Sequence, residues 1–217
     1  MDIKQIIDNK LFVGTLKKRA NPKTSKYWAD VHEKLVLINP EIILQQLQRA
    51  AEKIKKYLEE WKEVLVLHDK LLYKEELEKL CEEKGVHYFS YKVPSGVITN
   101  FETLFQNIKK MNELRKFVES EDFQKLTKKE RLVKMRQLKK MEDIYKGVKN
   151  MNKKPDVVIV IDWKYLEKFV HEIEISGVDN VVIANTDFNR WWPEENLIMA
   201  NTNSYESLDF ILKTLLS

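Results

Sequence analysis

The chain has 217 residues, 43% hydrophobic and 33% charged, with a formal net charge of +4. That size allows one sizeable α/β domain with a packed core. A single cysteine excludes an internal disulfide framework and fits a reducing compartment. No apolar run approaches the roughly 18 residues of a membrane span, and MDIKQIIDNK, with two aspartates and no arginine, reads as neither a secretory signal nor an Arg-rich presequence.

In chain order, residues 1–34 are expected to form a basic extension ahead of a sheet, with its charge on Lys17, Lys18, Arg19, Lys23 and Lys26. Leu35-Val36-Leu37-Ile38 predicts the first strand. It runs into Asn39-Pro40, a cap residue and a first-turn proline, which open a helix over 40–59. Further β-branched or apolar runs lie at 64–67, 157–161, 181–184 and, more weakly, 197–200. Helical patterns lie at 73–84, 164–176 and 204–216, and Asp162 and Ser204 are placed to start the last two. Continuous apolar runs without alternation point to strands buried on both faces, as in parallel sheets. Alternating strands and helices imply right-handed crossovers and a doubly wound α/β fold. Residues 101–150 break the rhythm with two helices, a turn near 120–125 and no strand. They read as a helical hairpin inserted into one sheet domain made of 35–100 and 151–217. Five glycines and five prolines leave no flexible linker of any length.

The second hairpin helix opens on Thr127-Lys128-Lys129-Glu130, a capping box. Leu132, Met135, Leu138, Met141 and Ile144 follow at a spacing of three, with lysines and arginines between them. Residues 103–154 hold sixteen Lys or Arg against seven Asp or Glu, about +9, so the rest of the chain sums to about −5. A basic arm on a near-neutral body suits a polyanion.

Enzyme chemistry leaves no comparable trace. There is no G-x-G-x-x-G after the first strand and no G-x-x-x-x-G-K-[ST]. His32, His68, His87 and His171 are isolated, with no carboxylate or cysteine at ligand spacing, so no metal site is expected. Cys81, at helical spacing from Leu77, reads as a buried hydrophobe. Asp156 and Asp162 bracket a strand, but a phosphoacceptor needs a further acidic cluster, so Asp162 reads as a helix cap. Thr99-x-x-Glu102 is a second capping box. Trp191 and Trp192, beside Arg190, suit either stacking on bases or covering an edge of the core.

Read together, these segments resemble the bacterial-type small-subunit ribosomal protein two family. The likeness is strongest in Phe123-x-Lys125-Leu126-Thr127-Lys128-Lys129-Glu130. It continues through Arg136, Leu138, Lys140 and Glu142 to Gly147-Val148-Lys149-x-Met151. Pro155-Asp156 and a strand closing on Asp162 match the family's P-D-x-x-x-x-x-D pattern. Ile98-Thr99-Asn100-Phe101 is similar to its L-T-N-W, Asn21-Pro22-Lys23 to its W-N-P-K-M, and Leu11-Phe12-Val13-Gly14 to its H-F-G-H. KLVLINPE (34–41) and Ala184-Asn185-Thr186-Asp187 extend an ordered match over about 11–212. The H-F-G-H histidines are absent, with Val13 and Thr15 in that neighbourhood, and the glycine pair before L-T-N is reduced to Ser95-Gly96. Such drift suggests a divergent lineage.

The resemblance implies a flavodoxin-like, doubly wound parallel sheet with an inserted, protruding coiled-coil hairpin. It implies a structural constituent of the small ribosomal subunit that binds rRNA, lies beside other ribosomal proteins and supports assembly. No catalysis, cofactor, metal, small-molecule substrate or membrane is implied. The location implied is the ribosome, in a bacterial cytoplasm or an organelle matrix, with the mitochondrion favoured because of the divergence. The residues expected to meet RNA are Lys17, Lys18, Arg19, Asn21, Lys23 and Lys26 before the sheet, and Thr99 and Asn100 at the hairpin entry, where capping comes first. On the hairpin they are Lys109, Lys110, Arg115, Lys116, Lys128, Lys129, Arg131, Lys134 and Arg136. The rival readings are a flavodoxin-like small-molecule or phosphoacceptor domain and a hairpin scaffold for an acidic protein.

Overall fold

The computed structural model describes residues 1–164 and 166–217. The chain begins with helix α1 (Ile3–Asp8), strand β1 (Val13–Leu16), a 3₁₀ turn (Pro22–Tyr27), β2 (Trp28–His32) and β3 (Leu35–Ile38). The expected basic extension thus folds: Ile6 and Leu11 are fully buried in the common core. β3 does not join the parallel sheet as expected. It is the middle strand of a three-stranded antiparallel sheet, order β1-β3-β2. Val36 and Ile38 face inward, while Leu35 and Leu37 are half-buried. Four apolar residues in a row cannot distinguish this one-sided strand from a doubly covered one.

Helix α2 (Pro40–Glu59) starts where Asn39-Pro40 predicts, with the Asn39 side chain accepting from the Glu41 N–H. Its buried residues Ile43, Leu47, Ala50 and Ile54 repeat with the helical period, forming one apolar stripe. Gln46 on that stripe accepts the Met199 N–H at 2.9 Å and so ties the helix to the sheet edge. β4 (Val64–His68), α3 (Lys74–Lys84) and β5 (His87–Phe89) follow. β5 escapes the sequence pattern because it is three residues long and lacks a β-branched run.

Next come α4 (Phe101–Val118), the single turn α5 (Glu121–Gln124) and α6 (Lys128–Tyr145), which build the hairpin, and then β6 (Val157–Ile161), α7 (Glu167–Ser176), β7 (Asp179–Ala184), β8 (Leu197–Met199) and α8 (Tyr205–Leu215). The second sheet is five-stranded and parallel, order β5-β4-β6-β7-β8. Numbered alone, its strands run 2-1-3-4-5, the flavodoxin-like order. Every residue of β4 and of β6 is buried, as expected of strands covered on both faces.

Two expected helix starts are corrected. Asp162 lies five residues before α7 at φ +62, and its carboxylate accepts the Lys164 N–H at 3.3 Å in a local turn. The Thr99-x-x-Glu102 box does not form: Asn100 is the α4 cap residue and makes no side-chain cap bond. Ser204 is at the α8 cap position, but its hydroxyl donates to Glu206 at 2.5 Å.

Candidate nucleic-acid interface

The hairpin is held together at three levels. At its root, Phe101, Leu104 and Ile108 of α4, with Val148 and Met151 after α6, belong to the common core. Midway, Arg115 reaches across, its Nε and Nη2 donating to Glu142 Oε1 at 3.0 and 2.8 Å. At the far end, Phe117 and Phe123 meet edge to face, ring centres 6.0 Å apart. The Thr127 box forms as expected: Thr127 Oγ1 accepts the Glu130 N–H while Glu130 accepts the Thr127 N–H. The Thr127 hydroxyl and N–H hold the Glu130 carboxyl below its ordinary value.

α6 buries none of its residues fully. Lys128, Lys129, Lys134 and Arg136 on it, and Lys109, Lys110 and Lys116 on α4, are exposed. Lys109 lies over the Phe105 ring at 4.3 Å. Arg131 is half-buried and donates to Gln124 at 3.2 Å. Arg115 differs from the exposed lysines because its guanidinium is ion-paired within the hairpin.

The loop before β2 carries the second cluster. Lys17, Lys18, Arg19 and Lys23 are exposed. Asn21 caps the 3₁₀ turn through the Lys23 N–H at 2.9 Å, and its own N–H donates to the Thr186 carbonyl at 2.8 Å. Lys26 pairs with Glu194, which raises the ammonium's pKa and lowers that of the carboxyl. Lys26 and Asn21 therefore have partners inside the protein. Thr99 and Asn100 are exposed at the hairpin entry. Thr99 faces Glu172 of α7 at 3.4 Å, and Glu172 also accepts the N–H groups of Gly96 and Ile98 at 2.6 and 3.2 Å. One carboxylate thus holds the whole entry loop, a role no sequence spacing signals because α7 lies more than seventy residues away.

In open α/β sheets, ligands bind beyond the carboxyl ends of the strands where the strand order reverses. Here that crevice, between the ends of β4 and β6, is filled by protein. Lys70 and Asp162 form an ion pair there, both largely buried. Lys70 also donates to the Thr202 carbonyl at 3.2 Å and Asn203 Oδ1 at 3.0 Å, and Thr202 donates to Asp162 at 3.2 Å. Beside it, His68 is fully buried, with Nε2 2.7 Å from the Leu72 carbonyl. Burial pushes its pKa down, and the Lys70 charge adds to the effect. Cys81 is buried as expected, and burial pushes its thiol up to about 12, far from nucleophilic use. Among the described residues no cluster of three or more His, Cys, Asp or Glu could hold a metal ion.

The Trp191-Trp192 pair divides between its two readings. Trp192 is buried, with Nε1 donating to Asn180 Oδ1 at 3.0 Å, whereas Trp191 is 82% exposed. Arg190 is turned away onto α7, donating to Glu174 and Glu167 at 3.1 Å each.

The family model described as Ribosomal protein S2 matches residues 6–217. A "Small ribosomal subunit protein uS2" of Francisella philomiragia is 28% identical over 213 residues, covering 97% of this chain and 88% of the relative. The proteins of that name from Francisella tularensis subspecies holarctica and novicida are each 27% identical, with the same coverage. With the match running through both sheets and the hairpin, the chain belongs to the ribosomal protein S2 family.

Proposed function

We propose that the chain is a structural constituent of the small ribosomal subunit, held on rRNA by the basic face of its hairpin and by the loop at 17–23. The observation that carries this is α6, an 18-residue helix that buries no side chain fully yet presents Lys128, Lys129, Lys134 and Arg136 to solvent. A surface of that kind is kept for a partner, and phosphates are the partner its charge suits. Structured RNA is read largely by shape and by its phosphates and 2′-hydroxyls, which rewards cations fixed on a rigid rod. Thr99 and Asn100 act first by shaping the hairpin entry. Arg115, Asn21 and Lys26 act by holding the elements that carry the free lysines.

Leu132, Val133 and Met135 on α6 are also exposed, at 47%, 55% and 53%. RNA phosphates gain nothing from aliphatic surface, so this part of α6 suits a neighbouring ribosomal protein. The named relatives are bacterial, which favours a bacterial-type ribosome. The preference for a mitochondrial matrix rests on sequence drift alone. The filled crevice at Lys70 and Asp162 speaks against a flavodoxin-like small-molecule or phosphoacceptor domain.

The test is to reverse charge at Lys128, Lys129, Arg131 and Lys134 together and measure rebinding to small subunits lacking this protein across a salt series. If those four residues all meet phosphates, the slope of log affinity against log salt should shrink by about 3 while the fold is retained. Rebinding with wild-type affinity and slope would sink the hairpin contact.

A further inference from the structure

Trp191 is largely exposed, and its backbone is nonetheless firmly set. On one side Arg190 is clamped to Glu167 and Glu174 of α7. On the other, Trp192 is buried and bonded to Asn180, and Pro193 stiffens the next step. The indole between these two anchors is held outward at 82% exposure. It borders a cleft of about 830 Å³ and a second hollow of about 400 Å³. A large amphipathic ring left in water by a rigid frame is surface available to a partner.

The cleft walls indicate which partner. Lys23, Lys26 and Tyr27 line the same cleft as the indole. Lys26 is matched with Glu194, and Arg190 with the α7 carboxylates, while Lys23 makes no ion pair among the described residues. Glu195 is the remaining acid on the wall. Lys23 continues the exposed basic run Lys17, Lys18 and Arg19. The loop is pinned to the end of β7, Thr24 Oγ1 donating to the Thr186 carbonyl at 3.0 Å and Asn21 N–H to the same oxygen. An exposed indole and a cation therefore line one cleft, at the edge of a positive surface. Unpaired nucleobases stack on such faces while their phosphates pair with the flanking cations.

We propose that Trp191 is a base-stacking residue: an unpaired rRNA base lies on its indole within the cleft, with the adjoining phosphate on Lys23. This rests on the ribosomal reading above and adds a single-stranded contact to the shape-reading hairpin.

The experiment compares wild type, Trp191→Ala and Trp191→Phe in rebinding to small subunits lacking the protein, across a salt series. Ultraviolet crosslinking of the rebound wild type follows. Because the side chain is exposed, both variants should unfold at the wild-type temperature. Trp191→Ala should bind on the order of tenfold more weakly, with an unchanged salt slope, since stacking releases no counterions. Trp191→Phe should retain most of the affinity, and the peptide containing Trp191 should carry a nucleotide adduct. Wild-type affinity in Trp191→Ala, or a crosslink to protein alone, would overturn the stacking contact and leave the ribosomal reading intact. Failure of the wild type itself to rebind would overturn both.

Discussion

Gly147 joins the hairpin to the sheet, and one added methyl group there tests that joint. The residue lies in the 3₁₀ turn after α6, against β5. A Cβ at Gly147 would meet the Tyr88 carbonyl oxygen at 2.3 Å and the ring atoms Cδ2 and Cε2 at 2.6 and 2.7 Å, where ordinary contact begins at 3.4 Å. Relief needs a shift of about 1 Å, and neither side yields easily. Tyr88 is 2% exposed, is paired with Val66 in the sheet and is tied by its hydroxyl to Glu82 at 2.7 Å. On the other side, Val148 and Met151 are fully buried. Overpacking of this kind costs about 1–3 kcal/mol. For a chain of this length, Gly147→Ala should therefore lower Tm by roughly 3–10 °C. The displacement has a functional arm as well. α6 has 18 residues, a rod about 27 Å long, so under the proposed rRNA contact a shift at its root would move its lysines out of register with fixed phosphates. Calorimetry and subunit rebinding should both show the loss. A Gly147→Ala protein with wild-type Tm and wild-type rebinding would refute the close approach and the idea that the root aims the hairpin.

Three further outcomes are expected. Glu172→Ala removes the acceptor shared by Gly96, Ile98 and Thr99. It should cost about 1–3 kcal/mol and speed amide exchange at Gly96 and Ile98, and unchanged exchange there would count against the anchor. Asp162→Ala leaves Lys70 largely buried without its carboxylate, so a loss of about 3 kcal/mol in denaturant titration is expected, and a loss below about 1 kcal/mol would show that the pair does not hold the crevice shut. His68 supplies a pH dependence. Its folded pKa lies below the ordinary 6.5 because it is buried, so the unfolded chain binds the proton more readily. Its contribution is complete above about pH 6.5 and is lost as pH falls below that value. Tm should fall more steeply between pH 7 and 5 in wild type than in His68→Gln, and equal slopes would remove His68 as the cause.

Much of this molecule is legible without coordinates because the signals are local. Asn39-Pro40 and Thr127-x-x-Glu130 each satisfy orphan amides within one turn, so the starts of α2 and α6 follow from a few adjacent residues. The runs at 64–67, 157–161 and 181–184 are apolar throughout because both faces of their strands are covered, and the helices between them force a parallel sheet. The excess of lysine and arginine after residue 103 is likewise a local signal, and it marks the hairpin as the basic part of the chain.

Tertiary structure alone decides the rest, because those choices rest on partners far apart in the chain. Whether Leu35-Val36-Leu37-Ile38 joins the parallel sheet depends on which strands lie beside it, and β1 and β2 claim it first. Asp162 and Thr99 each have a local bond open to them, yet Asp162 also takes Lys70 and Thr202, and Thr99 meets Glu172, because folding brings those groups within reach. Two adjacent tryptophans read alike as letters, and one is a core residue while its neighbour faces water, because Asn180 and α7 fix the backbone on either side. Local sequence determines where elements begin and what charge they carry. Which charged side chains remain exposed is decided by the long-range pairs that use up the others.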